Sequence, residues 1–182
     1  MKAHGEAARP LLTQVVLCGY QLPLKGVHGP AHWLRVLANG RALAALTPDA
    51  DAEVVGLFAL LHDSRRVNEH TDPQHGERAA DFVRQLDSQG LLPINGARIA
   101  VLAAACARHE LGEVSDHPTI GCCWDADRLE LSRLQRRPKV ELLSTKAALD
   151  PALQGDAWAR GVSQVVDPAL TREWGLAPGL LT

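Results

Sequence analysis

The chain has 182 residues, of which 46% are hydrophobic and 22% charged, and its formal net charge is −2. This length suits one domain with a sizeable core, and the composition is that of a globular protein rather than a disordered one. The charge offers no basic excess to neutralise phosphates, which argues against a nucleic-acid partner.

The cysteines and the apolar runs indicate the compartment. The four cysteines show no CxxC spacing and two of them are adjacent, which suits a reduced interior better than a disulfide framework. Residues 1–10 lack the apolar region of a signal peptide. The apolar runs 57–61 and 99–107 are too short to span a bilayer. We therefore expect a cytoplasmic protein that does not use a membrane.

Helix signals follow one another through the first third of the chain. Residues 11–22 are apolar apart from an interrupting glycine and predict a short helix. Pro30 suits the first turn of a second helix that runs to about Leu46. Thr47-Pro48-Asp49 is a further start signal, and the helix after it is expected to reach about Asp63.

The helical pattern continues to about residue 135. Asp72-Pro73 begins a helix with His75 in its first turn, and helices over about 96–110 and 119–135 carry His109 and Asp127 on their apolar sides. Beyond Pro138 the signal weakens, and we expect short helices and loops. Because no stretch shows convincing β alternation, the fold class predicted is all-α.

An apolar run, 57–61, leads directly into an adjacent His62-Asp63 pair. Such a pair at the end of a buried helix is costly to desolvate unless a cation binds it, and both side chains are good ligands for first-row metals. A single histidine is more often a hydrogen-bonded core residue. Here, however, five helices each supply a candidate, and these can meet in a bundle core. The predicted metal ligands are His32, His62, Asp63, His75, His109 and Asp127.

The order and spacing of these residues resemble a known family. His32-x-x-Arg35-Val36, then His62-Asp63, then Ala126-Asp127-Arg128-Leu129 is similar to the H…HD…D signature of the HD-domain metal-dependent phosphohydrolases, over about residues 26–135. The resemblance implies a single HD-like helical bundle over 1–182, with a C-terminal extension from about 138 to 182. It also implies that His32, His62, Asp63 and Asp127 bind one divalent metal (Mn, Fe, Co, Ni or Zn).

Many members of that family hold two metals, bridged by the aspartate of the HD pair. The resemblance then implies His75 and His109 as ligands of the second metal. The doubled histidine and the Gly-Tyr-Pro motif of the HD-GYP subgroup are missing, which speaks against cyclic-dinucleotide cleavage. Asp125 lies two residues from Asp127, so one helix cannot direct both at the same metal, and the resemblance favours Asp127.

The implied activity is hydrolysis of a nucleotide or another small phosphate ester. Catalytic roles are expected for Asp63 and Arg66, since Arg66 stands where the HD-x-x-Lys variant has its lysine. Arginines bind phosphate bidentately, so we expect substrate contacts from Arg65, Arg66 and Arg128. A substrate or ligand-supporting role for His28 competes with a simple loop role.

Two other functions remain open from the sequence. The set of four histidines and two aspartates also resembles the mixed-valent di-iron oxygenases built on the HD fold. A non-catalytic module that binds a nucleotide through an HD core is a further alternative, although a complete ligand set argues against it. The sequence is also compatible with a homo-oligomer.

Overall fold

The computed structural model describes the backbone of residues 3–181 and the side chains of residues 9–181. All regular secondary structure within this range is helical and none of it is strand, which confirms the all-α prediction. No described helix combines the length and apolar character needed to cross a membrane. The α-helices are α1 Ala3–Cys18, α2 Pro30–Leu46, α3 Ala52–Leu61, α4 His75–Ser88, α5 Ala97–Arg108, α6 Pro118–Leu129, α7 Pro151–Ser163 and α8 Pro168–Glu173. Short 3-10 helices lie at Glu130–Leu134, Val140–Leu142, Ala147–Leu149 and Pro178–Leu180.

Helix α3 is the centre of the bundle. All its residues from Val54 to Leu61 are buried, and α2, α5 and α6 pack around it while α4 pairs with α5. The end of α3 therefore delivers the residues after Leu61 into the middle of the molecule. This position explains why a run with no polar face precedes the His-Asp pair.

Several helix limits differ from those predicted. Helix α3 begins after Asp51, whose carboxylate accepts hydrogen bonds from the backbone amides of Glu53 and Val54. The predicted start at Thr47-Pro48-Asp49 is instead a turn in which Asp49 has a φ of 61°. The predicted helix over 119–135 changes to a 3-10 helix at Glu130, so that its last turn is tighter than expected.

Two glycines allow close helix approach. A Cβ atom on Gly40 of α2 would lie 2.5 Å from Val55 Cγ1 of α3. A Cβ on Gly76 of α4 would lie 2.7 Å from the carbonyl oxygen of Cys106 and 2.8 Å from that of Ala107, both on α5. The start of α4 and the end of α5 are thus in contact through backbone, which brings the neighbouring histidines of these two helices together.

The extension after residue 138 packs against the bundle. The buried carboxylate of Asp125 accepts the backbone amides of Ser144 and Thr145, each at 2.8 Å. A Cβ on Gly161 of α7 would lie 1.9 Å from Ser132 Oγ, so α7 fits against the 3-10 helix Glu130–Leu134 only with glycine there. Asp150 and Asp167, each followed by a proline, cap the starts of α7 and α8.

Candidate metal centre

The six predicted ligands come from helix ends that meet at one point. His32 lies in the first turn of α2, His75 begins α4, and His62 and His109 are the residues that end α3 and α5. Asp63 follows His62, and Asp127 lies in the last turn of α6. All are buried except Asp127, whose side chain is 24% exposed. The structure thus brings every one of these residues into a single cluster.

One half of the cluster is formed by His32, His62 and Asp127. The Nε2 atoms of His32 and His62 are 3.1 Å apart. Asp127 Oδ1 lies 3.4 Å from the first nitrogen and 3.6 Å from the second. Asp63 Oδ2 approaches the same two nitrogens at 3.5 and 3.7 Å. Four donor atoms therefore face a common centre.

The other half is formed by His75 and His109. Their Nε2 atoms are 2.9 Å apart, and Asp63 Oδ1 lies 3.2 Å from that of His75 and 3.8 Å from that of His109. The two oxygens of Asp63 thus face different halves of the cluster. A bridging carboxylate between two metal positions has this arrangement.

Backbone and carboxylate acceptors fix the orientation of each imidazole. In every ring the outer nitrogen, Nδ1, lies within hydrogen-bond distance of an acceptor, which holds the proton of the neutral ring there and turns the Nε2 lone pair inward. These acceptors are Glu130 Oε2 for His32 (2.9 Å), the carbonyls of Phe58 and Ala59 for His62 (both 3.2 Å), that of Asp72 for His75 (2.6 Å) and that of Cys106 for His109 (2.7 Å).

The residues present fit a divalent metal. Four imidazole lone pairs and the carboxylate oxygens of Asp63 and Asp127 converge in a buried space, and this excess of acceptors is stable only with a cation between them. Nitrogen and oxygen donors of this kind suit first-row transition metals. Among the described residues, three groups of donors lie close enough together to hold a metal ion: His28–His32–Asp63, His32–His62–Asp127 and His62–Asp63–His109.

No protein-family model and no curated protein matches the sequence. Among solved structures, the chain is similar to the crystal structure of a predicted HD superfamily hydrolase from an uncultured Thermotogales bacterium. The sequences are 22% identical, the match covers 91% of this chain and 92% of that chain, and the TM-score is 0.60. The chain shares the fold of that protein. At this identity the likeness concerns the fold alone, and it confirms at that level the resemblance seen in the sequence.

The cluster keeps its carboxylates ionised. Burial opposes the ionisation of Asp63, but the imidazoles of His62 and His109 beside it hold its pKa well below the usual range. Burial likewise opposes the ionisation of Asp127, and His62 and His32 lower its pKa in the same way. Both aspartates are therefore available as anionic ligands near neutral pH.

Glu130 supports the cluster, and sequence reasoning missed it. It is 1% exposed, accepts from His32 Nδ1, and pairs with the guanidinium groups of Arg35 and Arg133. Burial opposes its ionisation, but His32 and the two arginines lower its pKa. Its signal was present, because Glu130 follows Asp127 by three residues and so lies on the same helical face.

A second carboxylate, Glu110, was also missed. Its Oε2 atom lies 3.0 Å from His75 Nδ1, and its Oε1 atom accepts the backbone amide of Gly76. It directly follows the predicted ligand His109 in the sequence, but it does not lie on the helix face that was predicted to point inward. Glu110 differs from Glu130 in one respect, because the nitrogen that it contacts, His75 Nδ1, also lies within hydrogen-bond distance of the carbonyl oxygen of Asp72.

Two of the predicted substrate-binding arginines do not lie at the cluster. The guanidinium carbon of Arg65 is 3.4 Å from the ring centroid of Phe82. Arg128 donates to the carbonyls of Leu142 and Glu113. It follows Asp127 by one residue, and the helix turns it about 100° away from the cluster. Neither position supports a contact with substrate at the cluster, and both side chains pack within the fold instead.

Arg66 and His28 do lie at the cluster. Arg66 Nη1 is 3.4 Å from Asp63 Oδ1. His28 Nδ1 is 2.7 Å from Asp63 Oδ2, and its Nε2 is 3.9 Å from Glu69 Oε2. Of the two interpretations left open for His28, the structure supports a role at the cluster, because its ring holds one oxygen of the shared aspartate.

A cleft of about 610 Å³ opens above the cluster, with Asp63, His75, His109 and Asp127 at its floor. Its walls come from the loop after α3 and from the segment 131–136. The second wall combines Leu131 and Leu134 with Arg133 and Arg136, and it was not foreseen as a substrate-contacting region. The lining of the cleft therefore combines apolar and cationic groups.

Proposed function

We propose that the chain is a metal-dependent phosphohydrolase that acts on a nucleotide or another small phosphate ester. The observation that carries this proposal is the placement of the two Asp63 oxygens, each facing its own pair of imidazoles at the floor of an arginine-walled cleft. The similar structure is described as a predicted HD superfamily hydrolase, which supports the same reaction class.

A divalent cation held here would lower the pKa of a coordinated water toward about 7 and would stabilise negative charge on phosphoryl oxygens. His32, His62, Asp63 and Asp127 are the residues that would hold it, with His75 and His109 available to a second ion. Asp63 fixes the two halves relative to each other, and His28 fixes Asp63 by donating to Oδ2. The four histidine rings are buried, which limits the access of water to the cluster.

The cleft arginines differ in their availability to a phosphate group. Arg133 is already engaged, since it donates to the Glu130 carboxylate and to the carbonyl of Val27. Arg136 is exposed, and its guanidinium has no hydrogen-bond or ion-pair partner among the side chains that the structure describes. Arg136 is therefore the residue of this wall best able to bind an incoming anion, and Leu131 and Leu134 offer apolar contact to the organic part.

The test is phosphate release from a panel of nucleotides and simple phosphate esters, with metal-free protein reloaded with Mn²⁺, Co²⁺, Ni²⁺, Mg²⁺ or Fe²⁺. We expect release with at least one metal and none in excess chelator. Asp127→Asn should abolish release because it removes an anionic ligand at the cleft floor. Arg65→Gln is the matched control, since Arg65 faces Phe82, and it should retain release.

The same experiment separates the two alternatives. Iron-loaded protein that consumes O₂ with a small organic acid or phosphonate, and releases no phosphate from any ester, would replace the hydrolase with the oxygenase. Tight nucleotide binding without turnover under every metal would replace it with a binding module. Phosphate release that is unaffected by Asp127→Asn would show that the cluster is not the site of the reaction.

A further inference from the structure

Arg66 occupies an unusual position beside the His75–His109 half of the cluster. Its Nη1 atom lies 3.2 Å from Nδ1 and 3.1 Å from Nε2 of His75, and 3.4 Å from Asp63 Oδ1. Nearly equal distances to both ring nitrogens place this group over the imidazole rather than in line with either lone pair. The positive charge thus sits against the same Asp63 oxygen that faces His75 and His109.

The surrounding loop holds the guanidinium in this place. Arg66 Nη2 donates to the carbonyl of His70 at 2.7 Å and Nε to that of Asn68 at 3.4 Å. The residue is 7% exposed, so little water screens its charge. A buried arginine that is paired on several sides is a fixed cation rather than a solvated one.

The other half of the cluster differs in this respect. His32, His62 and Asp127 have no arginine or lysine in contact among the described residues, because Arg35 and Arg133 reach only the far side of His32 through Glu130. One half therefore has only acceptors facing inward, whereas the other already contains a positive charge. The two halves cannot be equivalent toward cations.

We propose that Arg66 supplies the positive charge of the second cation position, so that the chain holds one divalent ion tightly, at His32, His62 and Asp127. The His75–His109 half then takes a second ion only at much higher concentration, after displacement of the guanidinium. This inference rests on the proposed metal centre but not on the identity of the substrate. It assigns to Arg66 a role in setting metal stoichiometry, in addition to any contact with phosphate.

The test is metal content, which does not depend on activity. Metal-free protein is titrated with Mn²⁺ by calorimetry, and the ions retained after desalting are counted by elemental analysis. We expect one retained ion per chain in the unmodified protein. Arg66→Gln, which removes the charge, should retain two, with binding at the second position at least about tenfold tighter because like-charge repulsion is removed.

Matched variants locate the second ion. Arg66→Lys keeps a positive charge and should still retain one ion. Arg65→Gln removes a neighbouring charge that lies over Phe82 and should also retain one. In the double variant Arg66→Gln/His75→Ala the count should return to one, because the second position has lost a ligand. Circular dichroism checks that each variant is folded.

Three results would overturn the inference. Two equally tight ions in the unmodified protein would show that Arg66 does not compete with a metal. A single ion in folded Arg66→Gln would show the same. Should Arg66→Gln not fold, two tightly retained ions in Arg66→Lys, which keeps the positive charge, would count against the inference. Protein that retains no ion under any condition would remove the metal centre itself, and with it the proposed function.

Discussion

Replacement of Glu130 by glutamine tests whether the orientation of His32 depends on a buried charge. The Glu130 carboxylate is 1% exposed and contacts His32, Arg35 and Arg133, whose side chains are 1%, 5% and 7% exposed. Glutamine keeps the shape but leaves two buried guanidinium groups without their anion. Removal of one partner from a buried ionic network costs about 3–5 kcal/mol. For a chain of this size that corresponds to a fall in melting temperature of roughly 6–20 °C.

The same substitution should weaken the metal centre. Loss of the partner that orients a metal-binding histidine costs about 10–100-fold in metal affinity. The two unneutralised arginines near His32 add repulsion in the same direction. We expect both effects in Glu130→Gln, measured by thermal unfolding of the metal-free protein and by calorimetric titration with Mn²⁺.

Glu110→Gln is the matched control for this prediction. Glu110 also contacts the outer nitrogen of a cluster histidine, but His75 keeps the carbonyl of Asp72 at 2.6 Å when the carboxylate is neutralised. Its metal affinity should stay close to that of the unmodified chain. If Glu130→Gln and Glu110→Gln behave alike, or if Glu130→Gln leaves both the melting temperature and the affinity unchanged, the orienting role argued for Glu130 is wrong.

Three further perturbations separate the site from its scaffold. Asp127→Asn should lose the tightly bound metal while its metal-free melting temperature stays close to normal. Asp125→Asn should keep the metal and unfold at a lower temperature. Elemental analysis and thermal unfolding measure the two effects, and the reverse pattern would contradict the assignment of Asp127 to the metal and of Asp125 to the fold. Gly76→Ala should separate α4 from α5, since its Cβ would lie 2.7 Å from the carbonyl oxygen of Cys106. The absorption spectrum of the Co²⁺-loaded protein should then change, because His75 moves. An unchanged spectrum and melting temperature would contradict this contact. A chelator should lower the melting temperature of the loaded protein, because metal at about 100 times its dissociation constant stabilises the fold by about 2.7 kcal/mol; a curve unaffected by chelator would mean that no metal is bound in the folded state.

The helices and the positions of the ligands were predictable because each carries a local signal. The apolar run before His62 predicts a buried helix end, and the spacing of His109 and Asp127 predicts their inward faces. The start of α3 was misplaced because Asp49 and Asp51 both lie near a proline and only tertiary contact decides between them. Asp51 is held by Arg98, which donates to both of its oxygens from α5.

The arginines show where the sequence carries no such information. Arg65 and Arg66 are neighbours in a loop, and nothing in their spacing distinguishes them. In the structure Arg65 faces Phe82 while Arg66 faces Asp63, because the turn after α3 directs successive side chains to opposite sides. The ion pair between Arg35 and Glu130 could not be predicted from the sequence either, because the two residues are 95 positions apart. Nearness to a motif in the sequence is therefore a poor guide to the residues that surround it.

The C-terminal extension, which had the weakest signal in the sequence, supports the centre indirectly. Arg35 follows His32 by three residues on α2 and binds both Glu130 and the carbonyl of Gln164 after α7. The 3-10 helix that carries Glu130 is itself held by α7, where Ser132 Oγ donates to the carbonyl of Ala157. The segment after Asp127 thus serves two contacts at once, since Glu130 binds His32 and Ser132 binds α7. Through these contacts the extension is connected to a proposed metal ligand, His32.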